Sequence, residues 1–477
     1  MRADHRSRLP LVFILITVFL DIVGLGIILP VLPGLILEVT GESVVEAAVI
    51  GGYLVFVYAT MQFFFSPILG NLSDRWGRRP VLLLSLVGLS VDYLIMAWAP
   101  TLIWLFVGRA LSGICGAAMG TATAYVADIT PKEKRAQRFG LIGAAFGLGF
   151  IVGPVIGGEL GEFGPRAPFY FAAALAAANV VFGFFVLPES LSKFRRRRFN
   201  FKRANPFGAI LAFRHSPVII VLLGCLFLFA LAGQTYPNVW NFFTIQQFDW
   251  STSQVGRSLA VFGILFALSQ AVLIGPANRL VGPAGTVLIG LSFAVVALFG
   301  VAFVWTELGL WTFLVIGALS GVAAPALTGL LANNVRSNRQ GELQGAVNAT
   351  NALTAIIAPV AATQLFARFT GENAPIMFPG APFFASGILV TFSVGVFLYA
   401  AFRFDLFGSH LTEEATRPVM SPPHGQAVNL PAIEQQLREQ DIALEDLMDL
   451  ENIVITGNAP PVDEGSMGSG RHRRPDT

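Results

Sequence analysis

Two cysteines and five histidines are all that 477 residues offer to a disulfide or to thiolate and imidazole ligation of a metal ion. Cys115 and Cys225 both fall in apolar stretches, so neither a disulfide framework nor a thiolate metal site is expected. His5, His215, His410, His424 and His472 sit in tails or at a helix edge. A proton carried through the interior must therefore ride on carboxylates. Charge is scarce too: Asp, Glu, Lys and Arg make up 13% of the chain, against about 25% in an ordinary soluble domain. The net charge of +2 implies no polyanionic partner, and nucleic acid is not expected. No phosphate-binding loop of Walker type occurs, which speaks against ATP-driven work. No catalytic constellation suggests an enzyme.

What the chain has in quantity is apolar length. It is 54% hydrophobic, with 42 Phe and 49 Gly. A bilayer core needs roughly 20 mostly apolar residues per helix. Twelve runs satisfy this, at 11–37, 46–70, 81–99, 102–127, 137–159, 168–188, 216–243, 254–276, 283–305, 309–332, 342–368 and 381–403. The first follows a basic start and is too long for a signal peptide, so it is read as a retained span. The loops alternate in charge. Arg75, Arg78 and Arg79 lie in the second, and Lys132, Lys134, Arg135 and Arg138 in the fourth. Seven Lys and Arg between 193 and 203 lie in the sixth, while the first carries Glu38, Glu42 and Glu46. The positive-inside rule then puts the even loops and both termini in the cytoplasm.

The longest basic loop divides the spans six and six. The stretch at 139–158 aligns without gaps on 344–363, an offset of 205 that sets Gly140 on Gly345 and Pro154 on Pro359. The same offset sets Gly70 on Gly275 and Gly77 on Gly282. The expectation is an all-α membrane protein with 12 transmembrane helices in two pseudo-symmetric six-helix halves, at 1–190 and 207–403. A basic inter-half loop (191–206) joins them, and a cytoplasmic tail (404–477) follows. Paired halves around a central cavity suit a rocking transporter.

Three acids and bases interrupt the apolar runs. Asp21 lies about ten residues into the first span, roughly 15 Å deep at about 1.5 Å per residue. Asp92 and Arg109 fall at similar depth in the third and fourth spans, where they can pair. Each charge at mid-membrane costs roughly 2.5–3.5 kcal/mol. A structural ion pair would account for Asp92 and Arg109 but not for Asp21. An isolated acid at that depth either faces a water-filled cavity or holds a proton. In the second half the intramembrane polar candidates are neutral, Gln234 and Asn238 foremost. The spacing of Gly143, Gly147, Gly149, Gly153 and Gly157 in the fifth span lets a partner helix approach closely.

The loop "GNLSDRWGRRPVLL" (70–83) resembles the signature loop of the major facilitator superfamily. The stretch 58–93, "AYVADIT" (124–130) and the span-five glycines are similar to the bacterial tetracycline/proton antiporters. The likeness covers the twelve spans and not the tail. It implies a cytoplasmic gate built on Gly70, Asp74, Arg75, Gly77, Arg78, Arg79 and Asp128. It implies an antiporter motif at Gly149, Gly153, Pro154, Gly157 and Gly158. It also supports the expectation that Asp21, Asp92, Arg109 and Gln62 belong to one cavity of proton coupling and substrate binding, with Gln234 and Asn238 on its other side, where substrate and proton compete. The sequence departs from the family at Phe266 and Ala294, where tetracycline antiporters carry a His and an acid. That puts a cationic tetracycline–magnesium chelate in doubt as the substrate.

The expected function is proton-driven export of a small amphipathic compound, with tetracycline-like drugs among the candidates, across a bacterial inner membrane. A metabolite or siderophore exporter and a non-transporting sensor are the alternatives. No cofactor beyond the proton gradient is expected, and any metal would arrive chelated by the substrate. The acidic amphipathic stretch at 430–455 suggests a cytoplasmic protein partner or a dock on the basic sixth loop.

Overall fold

The computed structural model describes residues 2–131, 134–197, 213–336 and 339–407. These fall in the compact unit Met1–Leu411. Residues 412–477 and residues 198–206 of the basic loop lie outside the described residues. The amphipathic stretch at 430–455 lies outside them too.

Among the described residues there is no strand. Apolar length dictates this, because in hydrocarbon only a helix or a closed barrel satisfies its own backbone groups. The first three helices are α1 (Arg2–Thr40), α2 (Val44–Trp76) and α3 (Arg78–Trp98). The next apolar run breaks into α4 (Leu102–Gly116) and α5 (Met119–Ile129), and α6 (Arg135–Gly161) and α7 (Ala167–Val186) follow. The seventh run breaks at Gln234 into α8 (Pro217–Gly233) and α9 (Thr235–Phe248). After α10 (Thr252–Ala302), a 3-10 turn at Ser320–Val322 separates α11 (Glu307–Leu319) from α12 (Ala323–Asn333). The last two are α13 (Gln340–Thr370) and α14 (Ala381–Arg403).

Among the described residues, eleven helices are long and apolar enough to cross a membrane, with α4–α5, α8–α9 and α11–α12 each counting once. Twelve were expected. The difference lies in α10, where the runs at 254–276 and 283–305 are two helical arms, together 51 residues, that meet at a kink at Gly282. At a rise of about 1.5 Å per residue a straight rod of that length would span about 75 Å, more than twice a hydrocarbon core of about 30 Å. It is not straight, since Gly282 leaves helical geometry at φ 77° and ψ 171°. The connection is a single residue, so no stretch of loop separates the two arms.

Gly77 makes the same kind of one-residue turn between α2 and α3, at φ 113° and ψ 159°. Gly70 has no part in it, contrary to the loop drawn from sequence: α2 stays helical as far as Trp76.

α1 and α6 come into backbone contact. A Cβ on Gly157 would stand 2.2 Å from the Ile27 carbonyl oxygen, and one on Gly153 would stand 2.8 Å from the Gly26 Cα. One face of α6 is therefore committed to α1. Its far end meets α10, where a Cβ on Gly158 would lie 2.8 Å from the Thr252 carbonyl.

Polar contacts between helices α1–α7 and helices α8–α14 gather at the end remote from Gly77. Asn241 donates its side-chain amide to the Leu29 carbonyl. Ser253 donates its hydroxyl to Glu159 at 2.8 Å and its backbone N–H to Glu162 at 2.9 Å. Arg257 pairs with Glu159 at 2.8 Å. Toward the Gly77 end, a Cβ on Gly140, Gly143 or Gly147 would meet nothing within 4 Å. The close approach that the spacing of Gly143 and Gly147 permits is thus not used in this conformation.

Glu159 and Arg257 are largely exposed, and such pairs contribute at most about 1 kcal/mol. The combined Glu159→Gln, Glu162→Gln variant is expected to loosen this end, raising thiol labelling of a cysteine placed at Asn241 about threefold. Unchanged labelling would assign the closure to helix packing alone.

Candidate functional site

Asp92 on α3 and Arg109 on α4 form a buried ion pair, with Nη2 to Oδ2 at 3.2 Å. Asp92 is 0% exposed and Arg109 5%, so the pair has almost no water. Gly108 makes the approach possible: a Cβ there would stand 2.9 Å from Asp92 Oδ1 and 3.0 Å from Met96 Sδ. The pair is under-satisfied. Asp92 Oδ1, Arg109 Nε and the neighbouring Ser112 hydroxyl are buried with no hydrogen-bond partner. Buried polar groups usually find partners, and the Ser112 hydroxyl stands beside the Asp92 carboxylate, close enough to donate to it after a small shift of either side chain.

Asp21 on α1 is half-buried and makes no ion pair or hydrogen bond. One turn further along α1, Gly24 receives Tyr93, and a Cβ there would overlap the Tyr93 hydroxyl at 2.2 Å. On α2, Gln62 donates to the Tyr58 hydroxyl at 3.2 Å and to the Gly116 carbonyl at 3.4 Å, where α4 ends. Four helices thus bring Asp21, Gln62, Asp92 and Arg109 into one polar patch. Tyr58, Tyr93 and Ser112 complete it. The sequence reading did not use these three; the scarcity of tyrosine, seven in the whole chain, was the available signal.

A second feature is a cavity of about 270 Å³ among α6, α8–α10, α11–α13 and α14. Its wall is aromatic: Phe150, Phe229, Tyr236, Phe262 and Phe266. Ala294, Ser320, Thr328 and Asn351 also line it, and no Asp, Glu, Lys, Arg or His does. Phe266 and Ala294, the two points of departure from the family, both lie on this wall. Gln234 and Asn238 do not, contrary to expectation. They stand at the α8–α9 break, where Asn238 donates to the Gln234 carbonyl at 2.6 Å. Polar side chains at a helix break are drawn to its freed carbonyls.

The arginine-rich turn is a network. Arg78 pairs with Asp74 at 2.7 Å and with Asp128 at 3.3 Å, and Ser190 also donates to Asp128. Arg79 donates to the Phe184 carbonyl at 2.6 Å, and its guanidinium lies over the Phe184 ring. Arg75 is exposed at the edge. Glu189, which sequence reasoning missed, accepts the backbone N–H groups of Arg78 at 2.9 Å and Arg79 at 3.3 Å. A carboxylate suits the positive N-terminus of α3. A Cβ on Gly77 would overlap it at 2.2 Å, so Gly77 is required for room as well as for its positive φ. Nothing in the sequence near Glu189 announces a partner 111 positions away.

In the fifth-span motif, Gly149, Gly153 and Gly157 face α1. Gly158 faces α10, and Pro154 lies between the two, its ring 2.8 Å from a Cβ built on Gly26 of α1 and its carbonyl 2.2 Å from one built on Gly256 of α10.

Residues 14–359 match the family model described as Major Facilitator Superfamily. The tetracycline resistance protein of class C from Escherichia coli is 40% identical over 362 residues, 76% of this chain and 91% of that protein. Multidrug resistance protein 2 from Bacillus subtilis (strain 168) is 30% identical over 375 residues, 76% of this chain and 90% of that protein. A solved bacterial homolog of the human lysosomal transporter Spinster, inward-facing and unoccupied, aligns with a TM-score of 0.69 at 15% identity, over 84% of this chain and 98% of that one. That last likeness concerns the fold alone. With the family match running from α1 into α13 and the curated relatives covered almost end to end, the chain belongs to the major facilitator superfamily, in the drug/proton antiporter branch that holds the tetracycline resistance proteins.

Proposed function

We propose that this protein exports a small amphipathic compound across a bacterial inner membrane in exchange for protons. The observation that carries the reading is the buried, under-satisfied Asp92–Arg109 pair beside the unpaired Asp21. A proton taken by Asp92 would release Arg109 from its partner. The cost of leaving a charge unpaired at that depth then favours a different packing of α3 and α4 from the one described. Asp21, half-buried on the neighbouring α1 and without a partner, serves as the point of proton entry. Gln62, held between Tyr58 and the end of α4, couples that patch to α2. The network of Asp74, Arg75, Arg78, Arg79 and Asp128 acts as the gate.

Twelve spans in two halves, with both termini cytoplasmic, remain our reading of the architecture. Three correspondences at the same offset support it. Gly282 stands 205 positions after Gly77, and both adopt positive φ. The starts of α11 and α13, Glu307 and Gln340, stand 205 positions after those of α4 and α6, Leu102 and Arg135. The basic loops support placing the Gly77 end in the cytoplasm, and so an inward-open state.

The relatives named for tetracycline resistance suggest a drug of that kind, and the proton gradient alone would drive its export, with no cofactor. Export of a metabolite is a second reading, favoured by Phe266 and Ala294 on the cavity wall. The test is proton movement in energised everted vesicles given a panel of amphipathic compounds including tetracycline. Addition of a substrate should release protons from wild-type vesicles and not from vesicles carrying Asp21→Asn. Full release in the variant would remove Asp21 from the mechanism.

A further inference from the structure

Proton chemistry and the cavity occupy different sets of residues. Asp21, Gln62, Asp92 and Arg109 lie on α1–α4, and none of them lines the 270 Å³ cavity. Helices α1–α7 contribute only Phe150 to its wall. That wall holds no ionisable group apart from Tyr236, and among the described residues no cluster of His, Cys, Asp or Glu could hold a metal ion. A cation entering such a cavity would lose its hydration and gain no counter-charge, which is strongly unfavourable.

The aromatic wall is organised. Tyr236 stacks on Phe262, ring centroids 5.3 Å apart and planes 19° from parallel. Phe266 continues the row, 5.6 Å from Phe262. Two glycines one turn apart, Gly317 on α11 and Gly321 in the 3-10 turn that follows it, bring the backbone up to these rings. A Cβ on Gly317 would stand 3.1 Å from the Tyr236 hydroxyl, and one on Gly321 would stand 3.1 Å from Phe266. The Tyr236 hydroxyl is buried and has no hydrogen-bond partner. It is an unspent donor in an uncharged site whose other polar groups are Ser320, Thr328 and Asn351, and such groups fix a ligand's orientation.

Resting on the transport reading, we infer that this cavity is the substrate site and that it takes an uncharged, planar aromatic compound without a metal ion, packed against the Tyr236–Phe262–Phe266 row and accepting a hydrogen bond from Tyr236. Substrate and proton then bind apart, and coupling passes through the packing of the helices rather than through competition for one carboxylate.

The test is equilibrium binding to the purified full-length protein in detergent. The probes are acridone, an uncharged three-ring fluorophore, and tetracycline with either magnesium or EDTA. Acridone should bind equally in magnesium and EDTA, and magnesium should not strengthen tetracycline binding. Phe262→Ala should weaken acridone about tenfold by removing a ring contact. Tyr236→Phe, which keeps the ring and so the fold, should weaken it about fivefold. Ala294→Leu should also weaken it by filling the cavity. Tetracycline binding that requires magnesium, no acridone binding, or acridone affinity indifferent to Tyr236→Phe and Phe262→Ala would each overturn the inference. These outcomes separate from those of the transport reading. Proton release driven by a compound whose binding needs magnesium would leave transport standing and remove this site. Metal-free acridone binding with no proton movement for any compound would do the reverse.

Discussion

Asp92→Asn is expected to abolish substrate-driven proton movement and, separately, to lower the yield of folded protein. The two effects have different causes. Asn cannot bind and release a proton, so coupling stops. Asn also leaves Arg109, 5% exposed, without a counter-charge, and stranding one member of a buried pair costs about 3–5 kcal/mol. Arg109→Gln should lower the yield in the same way, since it strands Asp92. The double variant Asp92→Asn, Arg109→Gln removes both charges and should restore folded yield, because a neutral hydrogen-bonded pair needs no compensation. It should not restore proton movement. Folded yield is read by size-exclusion chromatography and coupling by the vesicle assay. If the double variant transports normally, the pair only holds α3 against α4, and proton coupling has to be sought elsewhere.

Glu189→Ala is expected to be the most damaging change at the arginine-rich end, ahead of any single arginine. Its carboxylate accepts the first two N–H groups of α3 and also the Leu191 N–H at 3.0 Å. Hydrogen bonds to a charged group are worth roughly 1.5–3 kcal/mol each. Losing this cap should lower the thermal midpoint by several degrees and release the Gly77 turn from the α7 end. Glu189→Gln keeps one accepting oxygen and should recover part of the loss. Asp128→Asn should do less, because Arg78 retains Asp74 at 2.7 Å. Thermal unfolding of the purified proteins ranks the three. Equal midpoints for Glu189→Ala and the wild type would show that the cap is dispensable.

The two variants separate what was legible in the chain from what was not. Asp92 and Arg109 stood out because charge inside an apolar run is costly, and counting residues along two spans put them at one depth. Glu189 gave no such signal. It follows an apolar span in a polar setting, and only the return of α7 to the start of α3 gives its carboxylate two N–H groups to accept. Gly70 and Gly77 look alike in sequence. Helix α2 runs through one and ends at the other, because only at Gly77 does the chain turn with positive φ against a carboxylate. Gln234 and Asn238 were chosen as polar residues in an apolar run, but the helix breaks beside them and takes up the Asn238 amide.

The sequence by itself determined that the chain is a bundle of membrane helices. Runs of apolar residues leave the backbone no other way to satisfy its hydrogen bonds, and that depends on composition alone. It also named the charges whose burial needs a reason. Tertiary structure decided the rest. It decided that Asp92 meets Arg109 while Asp21 stays unpaired, that α6 spends its glycines on α1 and α10, and that five rings from different helices enclose one uncharged cavity. Those are outcomes of packing between segments as far apart as Phe150 and Val390. No local pattern encodes which side chain will fill a space that exists only once the helices have met.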